Sequence, residues 1–487
     1  MLGMCLMALP HTIFAKEKPN VLFICVDDFR PELSCLGSIA KTPNMDRLAA
    51  KGTAFYNHYA VIPTSGASRC CIFTGQLPTT RADLDNNASE VRLSNADEGK
   101  RPETMFHHMR RNGYYTVGIG KVSHSADGRV YKYTEPTSKK LEFPYSWDEM
   151  LFNADQWETG WNSFFAFDNG ESRTSMKGQV KPYQCTNDQT RLPDELTADI
   201  AVDKLKELAK KDQPFCMAVG FFKPHLPFVS PKRFWDLYNE KEIPISPVPE
   251  IPVNGLRATL MPSGEFKSYK LGNEAPSLDY RVSDEYARKL RHAYLSCVSF
   301  TDAQVGRVLD TLKELKLDDN TIVVLWGDHG WQLGDYRVWG KHTLHDIALN
   351  SALIVKAPGY KKNVKSRRIV SSIDIYPTLM DLCGIEKPEC LDGESFVSLL
   401  RKPKTKEWTD RALGFFETKA SVRTPEYRLI YDDYKKKEPV VELYKYDKDN
   451  FERINVANEH PEKVKELKAQ LDERYDIIKS NLKSRKR

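Results

Sequence analysis

Residues 63–75 read PTSGASRCCIFTG, and Ser65 is the first residue to weigh for chemistry. A serine nucleophile of the α/β-hydrolase kind sits in a Gly-x-Ser-x-Gly elbow; Ser65 does not. From the residues alone it is open as a helix cap, a nucleophile of another kind, or the precursor of a different group. Other candidates recur at comparable places. NVLFICVDD closes on Asp27 and Asp28, LWGDHG holds Asp328 and His329, GFFKPH holds Lys223 and His225, and GIGKVSH carries Lys121 and His124. Taken singly, each could be a satisfied polar residue.

These groups need elements that bring them to one place. PNVLFICVDD, PFCMAVGFF and TIVVLWGDHG are continuous apolar runs, the pattern of strands buried on both faces. TPNMDRLAAKG predicts a helix with Thr42 as N-cap, Pro43 at the first position and Gly52 as stop. PETMFHHMRRNGYYTVGIGK predicts a helix, a stop at Gly113 and a strand. LPDELTADIAVDKLKELAKK is an amphipathic helix, and residues 283–317 predict one long helix or two in series. Helices alternating with buried strands predict a mostly parallel sheet covered on both faces. Ligands of such sheets gather at the carboxyl ends of the strands. Asp27, Asp28, Asp328, Lys223, His225, Lys121 and His124 all fall at such ends. Ser65 is expected in a turn before a helix, where free N–H groups favour negative charge.

The chain has 487 residues, enough for one large domain and a smaller one. A net charge of +5 from 72 basic and 67 acidic residues is too balanced to imply nucleic acid. The basic tail KSNLKSRKR reads as a solvated terminus. Residues 1–9 are apolar but too short to span a bilayer. With the charged stretch after Ala15 they resemble the end of a secretory signal peptide over residues 1–15, although no Lys or Arg precedes them. Export to a periplasm or the exterior is therefore expected. Cys25, Cys216 and Cys297 lie in apolar runs and read as buried thiols; Cys383 and Cys390 flank a short loop and could pair. EIPISPVPEIPVNG predicts an extended loop within the larger domain. From residue 401 the character changes. ALGFFE, ASVRTPEYRLIYDD and VVELYKYDKD predict short strands, and PEKVKELKAQLDERYDIIKSNL a final amphipathic helix. The expected organisation is a large domain over 18–400 and a C-terminal subdomain over 401–487.

In SGASR followed by CCIFTG the chain resembles the formylglycine-dependent sulfatases of the arylsulfatase superfamily. That signature runs Cys or Ser, any residue, Pro or Ala, any residue, Arg, then Thr-Gly. NVLFICVDDFRPELSCLG, TPNMDRLAAKGTAFYNHYA, GIGKVSH, GFFKPHLPF and LWGDHGWQLGD match further blocks in the family order. KPHLPF, DHGW and the Lys-x-x-His spacing are similar to the iduronate-2-sulfatase branch. The resemblance implies an alkaline-phosphatase-like α/β fold, a large mostly parallel mixed sheet between helices, with the C-terminal antiparallel sheet and helix walling the cleft.

It also implies that Ser65 is oxidised to formylglycine by a maturation enzyme. The hydrated aldehyde has two hydroxyls: one attacks sulfur, and deprotonation of the other releases sulfate. A plain serine would stay sulfated. The implied metal ligands are Asp27, Asp28, residue 65 and Asp328, with His329 less usual beside Ca²⁺, which the hard oxygens suit. Arg69 is expected to orient the hydroxyls of residue 65. Lys121 and Lys341 supply charge to the sulfate, His124 is the base and His225 the acid. Lys223, Trp331 and His342 join Lys121, His225 and Lys341 as implied substrate contacts. The implied substrate is a sulfated glycosaminoglycan oligosaccharide with a 2-O-sulfated uronic acid. Two competitors stand beside this reading. One is a two-zinc phosphatase or phosphodiesterase, for which His342 and His345 are the spare histidines; the other is a non-catalytic glycan-binding protein on the same scaffold.

Overall fold

The computed structural model describes residues 18–483 apart from 101, 273 and 448; the leader assigned to residues 1–15 lies outside them. The first strand, Asn20–Val26, shows why the sheet is central. Val21, Phe23 and Cys25 face one apolar core, Leu22, Ile24 and Val26 face the other, and all six are fully buried. Each large side chain buried this way contributes about 1.5–3 kcal/mol, and the run carries no polar face to spend on solvent.

The main sheet has eight strands in the order Val364–Ser371, Thr53–Tyr59, Leu353–Lys356, Thr321–Gly327, Asn20–Val26, Phe215–Phe221, Tyr115–Gly120 and Glu149–Leu151. All neighbours pair in parallel except Leu353–Lys356, which is antiparallel to both of its own. The expected buried runs form its centre. The three strands Thr53–Tyr59, Leu353–Lys356 and Val364–Ser371 were not expected, because VKSRRIVS breaks its apolar pattern with charge and LIVK is four residues long.

One face is covered by Pro193–Leu208 and by Asp284–Glu314, a single helix of 31 residues. The other is covered by Ser65–Thr74, Met105–Arg111 and Ile375–Cys383. The C-terminal strands Ala412–Phe416, Lys419–Arg423, Tyr427–Asp432 and Val440–Lys445 form one antiparallel sheet. Ala420, Val422, Leu429 and Leu443 of this sheet share a core with the main sheet, and Ala412, Phe416 and Ile430 pack with Tyr59 and Leu344.

Two expectations are corrected. The final helix is two, Pro461–Ala469 and Asp472–Lys483. At the break the Gln470 and Leu471 amides donate three residues back, to Leu467 and Lys468, and this tighter turn keeps Leu467, Leu471, Tyr475 and Ile478 in the core. Cys383 and Cys390 are both free, one buried and the other exposed.

Candidate active site

Four neighbouring parallel strands end on one edge, and each delivers candidates there. Asn20–Val26 delivers Asp27 and Asp28, Thr321–Gly327 delivers Asp328 and His329, Phe215–Phe221 delivers Lys223 and His225, and Tyr115–Gly120 delivers Lys121 and His124. Asp28 takes a left-handed φ of 54°, which Asp tolerates better than most residues. That turn is pinned from both sides. The Asp28 amide donates to Asp328 Oδ1 at 2.9 Å, and the Tyr294 hydroxyl donates to the Asp28 carbonyl at 2.8 Å. Asp328 Oδ1 also accepts from the His329 amide at 3.0 Å.

Ser65 is the first residue of the Ser65–Thr74 helix, following extended Thr64, and so lies within the first helical turn. It is 2% exposed. Its Oγ lies 3.1 Å from Asp27 Oδ1 and 3.0 Å from His329 Nε2. A cradle holds the helix start in place: the Gly66 amide donates to Asn86 Oδ1 at 3.0 Å, and a Cβ on Gly66 would stand 2.0 Å from the Asn86 carbonyl oxygen.

His329 Nδ1 is 2.9 Å from the Gly330 carbonyl and His225 Nδ1 2.6 Å from that of Leu226. A carbonyl only accepts, so each neutral ring carries its proton on Nδ1 and turns the Nε2 lone pair to the site. His225 Nε2 stands 3.6 Å from Asp28 Oδ2 and 3.7 Å from Glu265 Oε2. His124 packs on Trp161, ring centres 5.4 Å apart, and its buried Nδ1 has no hydrogen-bond partner.

Three cations face three aspartates. Lys121 Nζ is 3.0 Å from Asp27 Oδ2, Lys341 Nζ is 2.9 Å from Asp28 Oδ1, and Arg69 reaches Asp27 Oδ1 and Asp328 Oδ2 at 3.2 Å each. Burial alone would raise Asp27, but Lys121, His225 and Arg69 outweigh it and hold that carboxyl well below its usual range. For Asp28, burial and the charges of Asp27, Glu265 and Asp328 win over Lys341 and hold it well above. Burial and Asp27 push Asp328 up to about 6. Burial depresses His225 to about 3 and carries His124 and His329 well below the ordinary imidazole value, with the nearby lysines adding to it.

With Glu265, which also faces Lys341, four carboxylates share these three cations. Asp28 Oδ2 is buried and accepts no hydrogen bond, and buried acceptors of this kind are normally partnered. Ligand atoms of Asp27, Asp28 and His225 lie within 4.8 Å of one another, as do those of Asp28, Asp328 and His329. The hard-oxygen donor set and the open carboxylate fit a divalent cation.

A cavity of about 310 Å³ opens over these groups, with Ser65, Lys121, His124, His225, Lys341 and His342 in its wall. His342 stacks on Phe416 of the C-terminal sheet, ring centres 5.5 Å apart, so that sheet does reach the cleft. Two expected substrate contacts are corrected. Lys223 Nζ turns inward and donates to the Pro227 and His225 carbonyls at 2.6 and 3.3 Å. Trp331 is fully buried behind Lys341, whose Nζ is 5.3 Å from the ring centre. Arg69 is also placed differently. Besides the two aspartates it donates to the carbonyls of Lys121 and Val122 at 2.6 and 3.0 Å, so it reaches residue 65 through Asp27.

Sequence reasoning missed Glu265, whose Oε1 lies 3.1 Å from Lys341 Nζ. It also missed Asn86, Tyr133 and Arg173 in the cavity wall. GEFKS around Glu265 and ESRTS around Arg173 carry no periodic or motif signal that could have found them.

The family model described as Sulfatase matches residues 19–385, and one described as the C-terminal part of N-sulphoglucosamine sulphohydrolase matches 334–480. The chain belongs to the sulfatase family. It is therefore a sulfuric ester hydrolase by descent. A sulfatase of Formosa agariphila is 30% identical, over 93% of this chain and 86% of that protein, and human iduronate 2-sulfatase is 29% identical, over 79% and 72%. Among solved structures, the phosphonate monoester hydrolase SpPMH from Silicibacter pomeroyi superposes with a TM-score of 0.71 at 25% identity, covering 95% of this chain and 96% of that one. The alkaline-phosphatase-like architecture is thus the family's own.

Proposed function

We propose that this sulfatase removes the 2-O-sulfate of a uronic acid in heparin, heparan, chondroitin or dermatan sulfate oligosaccharides. The observation that carries it is the joining of Ser65, the cation-hungry aspartates and two neutral histidines on one sugar-sized cavity. Its uronate branch rests on the likeness to iduronate 2-sulfatase. When present, formylglycine at residue 65 supplies a regenerable nucleophile, and Ca²⁺ held by Asp27, Asp28, Asp328, His329 and residue 65 polarises the sulfate.

The chain's own residues divide the rest. Arg69 clamps Asp27 and Asp328 at fixed spacing. Lys121 and Lys341, now facing Asp27 and Asp28, offer charge to the sulfate oxygens as charge builds there. His225 presents Nε2 to the cavity; once the ring has taken a second proton there on substrate binding, the imidazolium gives that proton to the departing sugar oxygen. Its depressed affinity for that proton comes from burial and Lys341, and an anionic substrate opposes both. His124, neutral and unpartnered at Nδ1, takes a proton on the side of residue 65 in the release step. Burial and the Lys121 charge hold it neutral and free to accept a proton.

The two-zinc alternative needs a second set of ligands. His345 Nδ1 is 2.8 Å from Glu452 Oε2, and among the described residues neither it nor His342 belongs to a group of side chains placed to share a metal. The domain division at residue 400, export through the N-terminal segment and service by a formylglycine-generating enzyme belong to the same proposal. Among the described residues no helix is long and apolar enough to cross a membrane.

The test is desulfation of defined disaccharides, run beside phosphate and phosphonate esters, on protein from a host with the maturation machinery. We expect the 2-O-sulfated uronate to be the best substrate and the peptide bearing residue 65 to be two hydrogens lighter than serine. A preference for 6-O- or N-sulfate overturns the specificity. Full activity with intact serine overturns the chemistry.

A further inference from the structure

The cavity holds one cation that the chemistry above does not use. Lys121 faces Asp27, and Lys341 bridges Asp28 and Glu265. Arg173 makes no ion pair among the described residues, yet it lines the same cavity. Its guanidinium carbon is 3.4 Å from the ring centre of Phe165, 5.6 Å from that of Tyr269 and 6.0 Å from that of Tyr133. The aromatic rings occupy the faces of the guanidinium and leave its N–H edges for hydrogen bonding. The backbone anchors the residue: its amide donates to the Phe165 carbonyl at 3.0 Å, and its carbonyl accepts from the Gly178 amide at 3.0 Å. Phe165 in turn is tied into the wall beside His225 and Phe164. This is a preorganised, half-buried cation lacking an anion, and such a group is costly to keep unless something pairs with it.

We propose that Arg173 binds the carboxylate of the substrate's uronic acid and so selects acidic sugars. This rests on the reading of the cavity as a uronate sulfate site. A cavity of about 310 Å³ lies at the small end for ligand sites, so the anion that meets Arg173 sits on the ring that presents sulfate to residue 65. The two-pronged edge of a guanidinium matches a planar carboxylate. Two anions of one sugar are thereby read at two stations, sulfate by the lysines and carboxylate by Arg173.

The experiment compares wild type with Arg173→Met and Arg173→Lys on two substrates: the 2-O-sulfated uronate disaccharide and its carboxyl-reduced counterpart, in which the carboxylate is a hydroxymethyl group. Methionine keeps much of the contact with Phe165 without charge; lysine keeps the charge without the fork. Wild type is expected to prefer the acidic substrate in kcat/KM. Arg173→Met should lose about 10- to 100-fold on it, chiefly through KM, as for a charged hydrogen bond, and much less on the reduced one. Arg173→Lys should fall between, and serves alone if the methionine variant does not fold. Equal losses on both substrates would make Arg173 a structural residue and overturn the proposal. So would a loss that appears only when the neighbouring sugar carries a further sulfate. Binding of the unsulfated uronate, measured by calorimetry, separates the two ideas: if wild type binds it and Arg173→Met does not, the carboxylate site stands even where sulfatase specificity fails.

Discussion

Two buried charge clusters in this molecule are built from the same residue types and end differently. One lies where the C-terminal sheet meets the main body. There Asp346 Oδ1 accepts from the Tyr59 hydroxyl at 2.9 Å, Arg423 Nε at 3.0 Å and Arg428 Nη2 at 3.1 Å. Glu452 meets His345 Nδ1 and the Tyr446 hydroxyl at 2.8 Å and Arg428 Nε at 3.2 Å. Burial of Asp346 is outweighed by Arg423 and Arg428, which hold it below its usual range. Both oxygens of Glu452 are bonded, and the bonds to Asp346 converge on Oδ1. The other cluster is at the strand ends, where Asp28 Oδ2 and His124 Nδ1 are buried without hydrogen bonds and Asp28 is held well above its range. A closed network secures packing. An open one keeps free capacity for what it binds.

The sharpest way to break that contrast is one substitution in each cluster. Asp328→Ala removes a ligand from the open cluster and leaves Arg69 half-paired. Activity should fall by about 10³-fold or more, since charge stabilisation by the bound ion is lost. If Ca²⁺ raises the Tm of wild type, as the proposed metal site requires, that rise should shrink as well. Arg428→Met breaks the closed cluster instead. It should cost about 3–5 kcal/mol of stability, because it removes the guanidinium shared by two buried acids, yet keep any rise in Tm that Ca²⁺ gives. If a chelator leaves wild-type Tm and activity untouched, the open cluster is not a metal site.

Within the open cluster the two histidines should separate by substrate. His225→Ala should lose about 10²- to 10⁴-fold on a sugar sulfate and far less on an aryl sulfate, whose phenolic leaving group needs little proton donation. His124→Ala should slow both and let a sulfated residue 65 build up, visible by intact mass. An adduct in the His225 variant alone would reverse the assignments.

The smallest expected effect belongs to the closed cluster. Burial disfavours the His345 imidazolium, but Glu452 outweighs it and raises the pKa above 6.5. A raised folded value stabilises the fold fully below about pH 6.5, and that share is lost as pH climbs through the folded value. Wild-type Tm, measured with chelator present, should therefore decline over that interval, and His345→Gln should flatten the decline. An identical slope in both would deny the charged pair.

How much of this the sequence revealed follows from where the signals sit. VDD, GDH, KPH and GKVSH each end a buried apolar run, so the switch from apolar to charged marks the strand end and the ligand edge together. Ser65 was visible through its signature, and its place inside the first helical turn was not. Lys223 and Trp331 show the limit of motif adjacency, which fixes where a backbone passes but not which way a side chain turns; Lys223 folds back onto Pro227. Glu265 and Arg173 come from irregular segments whose position depends on packing against distant residues. The strands Thr53–Tyr59, Leu353–Lys356 and Val364–Ser371 were hidden for a related reason, since their stability comes from neighbours and not from a run of their own.

The burial of Ser65 sets a timetable. Its helix is buried at all ten positions, and its first glycine is wedged against Asn86. If residue 65 is oxidised as proposed, the enzyme that does so has little access to the side chain once the chain is folded, since Ser65 is 2% exposed. Under that proposal, conversion precedes the folding of residues 63–75. On the same proposal, chain that folds first would keep its serine, and the active fraction of a preparation would be decided by a race between folding and maturation.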